Sequence, residues 1–506
     1  MQNRNWFPFG IAVAALLLAT GTQAQEPKMS TGGEGFVQES MSPTPQVGHF
    51  ITPASGTAKP GFAHTTYKLG SLDGIKPFVT AIPREISVAA PAGAEPDAVT
   101  LFQHYEVPQS LGCIYVGSPS STGCITNYNA GSGGPSALGH GAIALVDAYD
   151  APTAAADLAT FDSYWGLAAP PSFTVLYANG NGDCTTPPSG VANGWSFEES
   201  LDVQWAHVFA PKAAIILVEA CSNSDTDLFY AEQVAFSYIA TNFKTTALGG
   251  GEVSNSWQGG ELAAATQYAD DVLFTDHYYT GGQGWYPPIQ AFASSGDGGF
   301  EGNTTGYPSG NPWLVSAGGT GVYRNAATNY YYAEHCWNGS GGGYSAVETW
   351  GAAFPGGVNP WNDYQYQIFG TTTNPYGATS TRVTPDFSFD ADPNSGVYVY
   401  CTQCFDGPGW YVTGGTSVSS PSLASISNRA NNRLGSVHLN KVTGNNGFFS
   451  NMENTLAYAT LPANAQHTEF YDVTIGNNTT SAGTSNAGVG YDTCTGLGAS
   501  RGLSGK

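Results

Sequence analysis

From about residue 99 onward, short continuous apolar runs alternate with stretches of helical period. Gly141-Ala-Ile-Ala-Leu-Val146, Ser172-Phe-Thr-Val-Leu-Tyr177 and Ala213-Ala-Ile-Ile-Leu-Val218 read as strands, with helices over Thr153 to Phe161, 197 to 209 and Leu228 to Asn242 between and after them. Strands that are apolar throughout, rather than at alternate positions, are covered on both faces. The pattern therefore predicts an α/β fold with a mostly parallel central sheet and helices on both faces. Gln290-Ala-Phe-Ala-Ser294, Trp313-Leu-Val-Ser316 and Val397-Tyr-Val-Tyr400 add strands separated by Gly-rich loops, and no repeat of fixed period is evident. Residues 99–506 thus form one large domain of about 400 residues.

The chain opens differently. Arg4, the apolar run Ile11 to Ala19 and Thr22-Gln23-Ala24 form a signal peptide over 1–24, cleaved after Ala24, whose apolar part is too short to span a membrane. Residues 25–98 are rich in Gly, Pro, Thr and Ser without sustained periodicity, and read as an extended lead segment, a reduced pro-region. The expected product is a soluble monomer, secreted or periplasmic. Thirty-eight acidic against 15 basic residues give a net charge of −23, which argues against nucleic acid and anionic membranes as partners. Acid conditions would relieve the self-repulsion.

Candidate chemistry begins at Gly414-Gly415-Thr416-Ser417-Val418-Ser419-Ser420-Pro421, between the β-prone Trp410-Tyr411-Val412 and the helix-like Leu423-Ala424-Ser425-Ile426. A serine at a strand-to-helix turn sits where a nucleophile would, with the helix N-terminus aimed at a developing oxyanion. A Gly-rich loop with an N-cap serine reads equally well. A nucleophilic serine needs a base, and the nine histidines are scattered without a pattern that would supply one.

The helix over 197 to 209 offers carboxylates instead. Ser196 with Glu199 predicts a capping box, and Pro211 stops the helix. Glu198 and Asp202 lie one turn apart, about 40° around the axis, as a solvated stripe or a catalytic pair that shares a proton. Asp297, in Ser294-Ser-Gly-Asp297, stands just past a strand's C-terminal end, where open α/β sheets bind ligands and where an Asx turn would also place it.

Together, Glu198-x-x-x-Asp202, Ser294-Ser-Gly-Asp297 and Gly415-Thr-Ser417-x-x-x-Pro421 resemble, in order and spacing, the sedolisin family of serine-carboxyl peptidases. Ser254-Asn-Ser-Trp257, Ala317-Gly-Gly-Thr320, Gly341-Gly-Gly-Tyr-Ser345 and Pro385-Asp386 are similar to family text as well, so the resemblance covers about 100 to 500. It implies a subtilisin-like fold and hydrolysis of protein or peptide substrates in acid. Ser417 would be the nucleophile, Glu198 the general base, Asp202 the carboxylate that orients it and Asp297 the oxyanion-hole acid. Asp147 and Trp257 would be accessory positions beyond Asp202. The resemblance also implies one Ca2+, held by the carboxylates of Asp472 and Asp492 and the carbonyls of Val473, Gly488 and Gly490. The large pro-domain usual in that family has no counterpart here, because only about 75 residues separate Ala24 from the catalytic domain.

Eight cysteines in an exported chain point to disulfides, with Cys113–Cys124, Cys401–Cys404 and Cys184–Cys221 the expected pairs. Endopeptidase action is the leading reading, with a tripeptidyl-peptidase of the same family and a non-catalytic secreted binding protein as the alternatives. An acid glycosidase fits poorly, since carboxylates one helical turn apart cannot flank a glycosidic bond from both sides.

Overall fold

The computed structural model describes residues 59–66, 68–69, 84–86, 101–103, 105–117, 139–179, 184–243, 250–274, 289–328, 330–349, 365, 381–404, 407–434 and 470–502. The chain divides into two compact units, Met1–Gln46 and Val47–Lys506, and every described residue belongs to the second. The signal peptide 1–24 and most of the lead segment 25–98 lie outside the described residues.

The lead segment contributes β1 (His64–Thr65) and β2 (Lys68–Leu69). After it come β3 (Ala142–Ala148), α1 (Ala154–Trp165), β4 (Phe173–Ala178), α2 (Trp195–Phe209), β5 (Ala214–Ala220) and α3 (Asp225–Asn242). Next are β6 (Gly251–Asn255), β7 (Trp257–Gln258), β8 (Ile289–Ser294), β9 (Val315–Asn325), β10 (Tyr331–Cys336) and β11 (Phe387–Asp390). The hairpin β12 (Val397–Cys401) and β13 (Gly409–Gly414) leads into α4 (Thr416–Leu434), and β14 (Phe470–Tyr471) and β15 (Ala499–Ser500) close the described chain.

In the central sheet the order is β14-β15-β11-β9-β8-β6-β3-β5-β4. Every pair from β15 to β4 is parallel. Antiparallel β14 and β10 attach to β15 and β9. The side-chain period of two explains why helices are needed on both faces. Ile143, Leu145, Ile215 and Leu217 point to one side and pack with Leu158, Val203 and Ala206 of α1 and α2. Ala144, Val146, Ile216 and Val218 point to the other and pack with Leu228, Ala231, Ala235 and Phe236 of α3. Each fully buried large apolar side chain of this kind contributes roughly 1.5–3 kcal/mol.

The expected capping box does not form. Helix α2 starts at Trp195 behind Gly194, whose left-handed φ of 90° turns the chain into the helix without a side-chain cap. Ser196 therefore lies inside the first turn, where its hydroxyl donates to the Asp150 carbonyl at 3.4 Å. Glu199 is fully buried and caps nothing.

Cys184–Cys221 and Cys401–Cys404 are bonded as expected. Cys113 is also disulfide-bonded, but Cys124 lies outside the described residues. A further bridge, Cys336–Cys494, ties the C-terminal loop to the end of β10 across a sequence separation of 158.

The stretch around Glu106 is anchored to the end of β9 by a buried ion pair. Glu106 accepts from Arg324 Nε at 2.7 Å and from Ser110 Oγ at 2.6 Å. Removing one partner strands the other's charge without water. Glu106→Ala should lower unfolding stability by about 3–5 kcal/mol, read from denaturant midpoints, and Glu106→Ala with Arg324→Met should recover much of that loss.

Candidate active site

Several candidate residues gather at the C-terminal ends of the parallel strands. Ser417 is the second residue of α4, entered through Gly415, whose φ of 101° few residues other than glycine tolerate. Pro421 has no N–H to give to the carbonyl four residues back. That carbonyl, of Ser417, accepts instead from Ser256 Oγ at 3.3 Å. The same Ser256 hydroxyl reaches Asp202 Oδ1 at 2.8 Å, which links the start of α4 to the middle of α2.

Beneath the serine, α2 brings Glu198 and Asp202 together with Asp147 from the end of β3. All three are fully buried. Burial is the largest influence on each: it raises Glu198 and Asp202 well above the carboxylate range and takes Asp147 up to about 8. The negative fields of Asp202 and Asp147 raise Glu198 further, while hydrogen bonding from Ser256 and Glu198 pulls Asp202 the other way. Ser417 lies close enough to oppose the rise in Glu198. Even so, neither Glu198 oxygen has a partner of good hydrogen-bond geometry, because the Ser417 hydroxyl is directed elsewhere. Among the described residues no histidine is bonded to Ser417.

Asp297 sits in the turn after β8, with Oδ1 accepting Thr416 N–H at 2.8 Å and Thr416 Oγ1 at 3.0 Å. Thr416 Oγ1 in turn accepts from Gly296 N–H at 3.0 Å, so the acid turn and the helix start are clamped together. The indole N–H of Trp257 donates to Val146 O at 2.9 Å, one residue before Asp147.

The lead segment runs through this site. Ala63 exchanges hydrogen bonds with Asn223 at 2.9 and 2.7 Å. His64 and Thr65 pair antiparallel with Gln258 and Trp257 of β7, and Lys68 and Leu69 pair antiparallel with Gly414 and Thr413 of β13. Between these pairings Thr66 lies over the serine: Ser417 N–H donates to Thr66 O at 3.0 Å, and the two hydroxyl oxygens are 3.0 Å apart. Thr66 Oγ1 also donates to Ser294 Oγ at 2.6 Å, and Ser417 Oγ to Ser256 O at 3.3 Å. Ser417 is fully buried as a result.

The C-terminal loop brings Asp472, Gly488, Gly490 and Asp492 together. Asp472 Oδ2 accepts Gly490 N–H and Asp492 Oδ2 accepts Gly488 N–H, both at 3.0 Å. Asp492 Oδ1 takes the N–H groups of Cys494 and Thr495 at 2.9 and 2.8 Å. Val473, next to Asp472, is buried. Among the described residues no group of three or more His, Cys, Asp or Glu is placed to hold a metal ion.

No family model matches the chain. It is 28% identical to kumamolisin of Bacillus sp. (strain MN-32) over 360 residues, covering 68% of this chain and 56% of that protein. It is 26% identical to sedolisin of Pseudomonas sp. (strain 101) over 364 residues, covering 68% of this chain and 53% of that protein. These similarities support the sedolisin family, which the spaced motifs resemble. Its fold is similar to that of Pseudomonas sedolisin, a serine-carboxyl proteinase solved with two molecules of pseudo-iodotyrostatin, at a TM-score of 0.51 and 21% identity over 78% of this chain and 95% of that one. The chain matches only about half the length of the two sedolisin-family relatives.

Beyond the candidate residues named from the sequence, two further carboxyls join the buried cluster. Glu199 is raised well above its ordinary value by burial and then by Glu219 and Asp147, and burial takes Glu219 up to about 9. A helix-face count cannot reveal this, because α2 is buried all round and both Glu198 and Glu199 are inside. The Ser254-Asn-Ser-Trp257 text carried a signal for Ser256. Nothing in the composition of the lead segment marked Thr66.

These raised values predict a fold that acid stabilises. A carboxyl whose folded pKa exceeds its unfolded value, near 4, favours folding below that value and loses the contribution as pH rises through the folded one. With Asp147 at about 8 and Glu219 at about 9, the melting temperature should fall steadily between pH 5 and pH 9. Measured by circular dichroism on Ser417→Ala to exclude self-digestion, the slope should flatten in Asp147→Asn. A melting temperature that rises over this window would refute the protonated cluster.

Proposed function

We propose that this chain is an acid-active serine-carboxyl endopeptidase that hydrolyses peptide bonds of protein substrates through an acyl-enzyme on Ser417. The observation that carries this reading is the extended backbone over the serine, where Ser417 N–H donates to a peptide carbonyl at 3.0 Å while carboxyls lie below. In the proposed cycle Ser417 Oγ adds to the substrate carbonyl carbon and its proton passes to Glu198. Asp202, held by Ser256, orients Glu198 and spreads the charge through the shared proton. The oxyanion is met by the Ser417 N–H, the positive end of α4 and a protonated Asp297, which can donate only as the acid. Glu198 then protonates the leaving amine, and water entering by the reverse route releases the acyl group. A histidine base would be protonated and idle in acid, whereas a carboxyl pair that shares a proton can still accept one.

Endopeptidase action is favoured over tripeptidyl release by the path of residues 59–69. If Thr66 marks the acyl side, the chain continues past His64 to Lys59 instead of stopping three residues before the attacked carbonyl. The signal peptide supports export, and no helix among the described residues is long and apolar enough to cross a membrane.

The proposal extends to one Ca2+ on the carboxylates of Asp472 and Asp492 and the carbonyls of Val473, Gly488 and Gly490. The donor set is all oxygen on a Gly-bearing loop already gathered by its own hydrogen bonds, which suits calcium and not a transition metal. The ion would cross-link the loop and take no part in the chemistry.

Glu198→Gln and Ser417→Ala should each reduce kcat on denatured protein at acid pH by several orders of magnitude while leaving the fold intact, and the double variant should be hardly worse than either. Losses that add would contradict one shared proton transfer. For calcium, a chelator should lower the melting temperature of Ser417→Ala and leave that of Ser417→Ala with Asp472→Ala unchanged. Equal melting with and without chelator in Ser417→Ala would remove the ion.

A further inference from the structure

We propose that Asp392 is a positioning residue for the nucleophile: it sets the turn after β11 whose Ala391 carbonyl holds the Gly415 N–H, and through that bond it fixes how Ser417 leaves β13. This rests on the peptidase reading and deepens it by assigning a residue that acts on Ser417 through the backbone. Gly415 N–H donates to Ala391 O at 2.6 Å, and Thr416 N–H to Asp297 Oδ1 at 2.8 Å, so both residues that lead into the serine are held. Turn and helix start touch backbone to backbone. A Cβ on Gly414 would collide with the Ala391 carbonyl oxygen and the Pro393 nitrogen, so no side chain cushions one from the other, and a shift of the turn passes directly to the start of α4.

One carboxylate holds the turn to the sheet. The N–H groups of Ala391 and Asp392 share the Thr320 carbonyl of β9 at 2.8 and 2.9 Å. Asp392 Oδ1 accepts the N–H and Nδ2 of Asn394 at 3.0 and 2.7 Å, which closes an Asx turn. Its Oδ2 accepts from Gln103 Nε2 at 2.9 Å and lies 3.4 Å from His335 Nε2 on β10. Gly321 of β9 makes room for this meeting, since a Cβ there would collide with His335 Nε2 and Asp392 Cβ. His335 donates from Nδ1 to the Cys336 carbonyl at 2.9 Å and stacks on Tyr323 with ring centroids 4.3 Å apart, which presents Nε2 to Gln103 and Asp392. When neutral, Nε2 accepts from Gln103 Nε2 at 3.1 Å; when protonated it can only donate, and Asp392 is the acceptor facing it. Burial lowers the His335 pKa and the Asp392 charge opposes that fall, so the ion pair forms in acid, where the proposed chemistry runs. The other charged groups of this region among the described residues are Glu334 beside His335, Asp390 at the end of β11 and the Glu106–Arg324 pair.

Steady-state hydrolysis of a synthetic peptide, expressed per folded molecule by near-UV circular dichroism, tests this on the full chain, with Ser417→Ala as the blank. Asp392→Ala should lose about 10²-fold in kcat with KM within about twofold, the loss expected when a reacting group is displaced by about 1 Å. Asp392→Asn keeps an oxygen for Asn394 but removes the charge that faces His335. It should recover much of that loss near pH 6, and its remaining deficit should widen as pH falls to about 3, because only the wild type gains the ion pair there. A residue that merely stabilised the fold would change neither kcat per folded molecule nor its pH profile. Should Asp392→Ala fail to fold, the widening in Asp392→Asn decides the matter. Undiminished kcat in Asp392→Ala, or a deficit in Asp392→Asn that is the same at every pH, would overturn the inference and leave the peptidase reading standing. Absence of Ser417-dependent hydrolysis in the wild type would overturn both.

Discussion

Asp147, Glu198, Glu199, Asp202 and Glu219 share one buried region under Ser417, and for each of them burial is the main influence on its proton. An ionised carboxylate there would cost several kcal/mol without a cation beside it. Among the described residues the buried arginines are engaged elsewhere, Arg324 with Glu106, Arg382 with Asp386 and Arg429 with the Phe209 carbonyl. Burial therefore favours the protonated or proton-sharing form of the cluster. That constraint links the composition to the chemistry, because the same protons that let the fold tolerate so many buried acids are the ones a carboxyl base and a carboxyl oxyanion donor would use.

Sheet topology puts these groups in one place. In a parallel sheet every strand ends on the same side, so Asp147 near the end of β3, Glu219 near the end of β5 and Ser294 at the end of β8 arrive together without being near in sequence. Helices returning from that edge begin there, which sets Glu198 in the first turn of α2 and Ser417 in the first turn of α4. Ser256 and Thr416 then fasten the pieces, the one to Asp202 and the other to Asp297. The geometry is built from secondary-structure ends, the part of a fold most constrained by packing behind it.

Read without the structure, the chain already determined its layers and named its candidate site residues: continuous apolar strands forced helices onto both faces, and the order Glu198, Asp202, Asp297, Ser417 appeared in spaced motifs, since period and spacing are local properties. Three things were decided only by tertiary contacts. Glu199 became part of the acid cluster because Gly194 began α2 earlier than the expected cap and packing closed every face of the helix. Cys336 found Cys494 because β10 and the C-terminal loop meet across the sheet edge. Thr66 reached Ser417 because β7 and β13 offered unpaired edges on either side of the serine, and an edge accepts whichever extended strand has the right length and register, which composition does not encode.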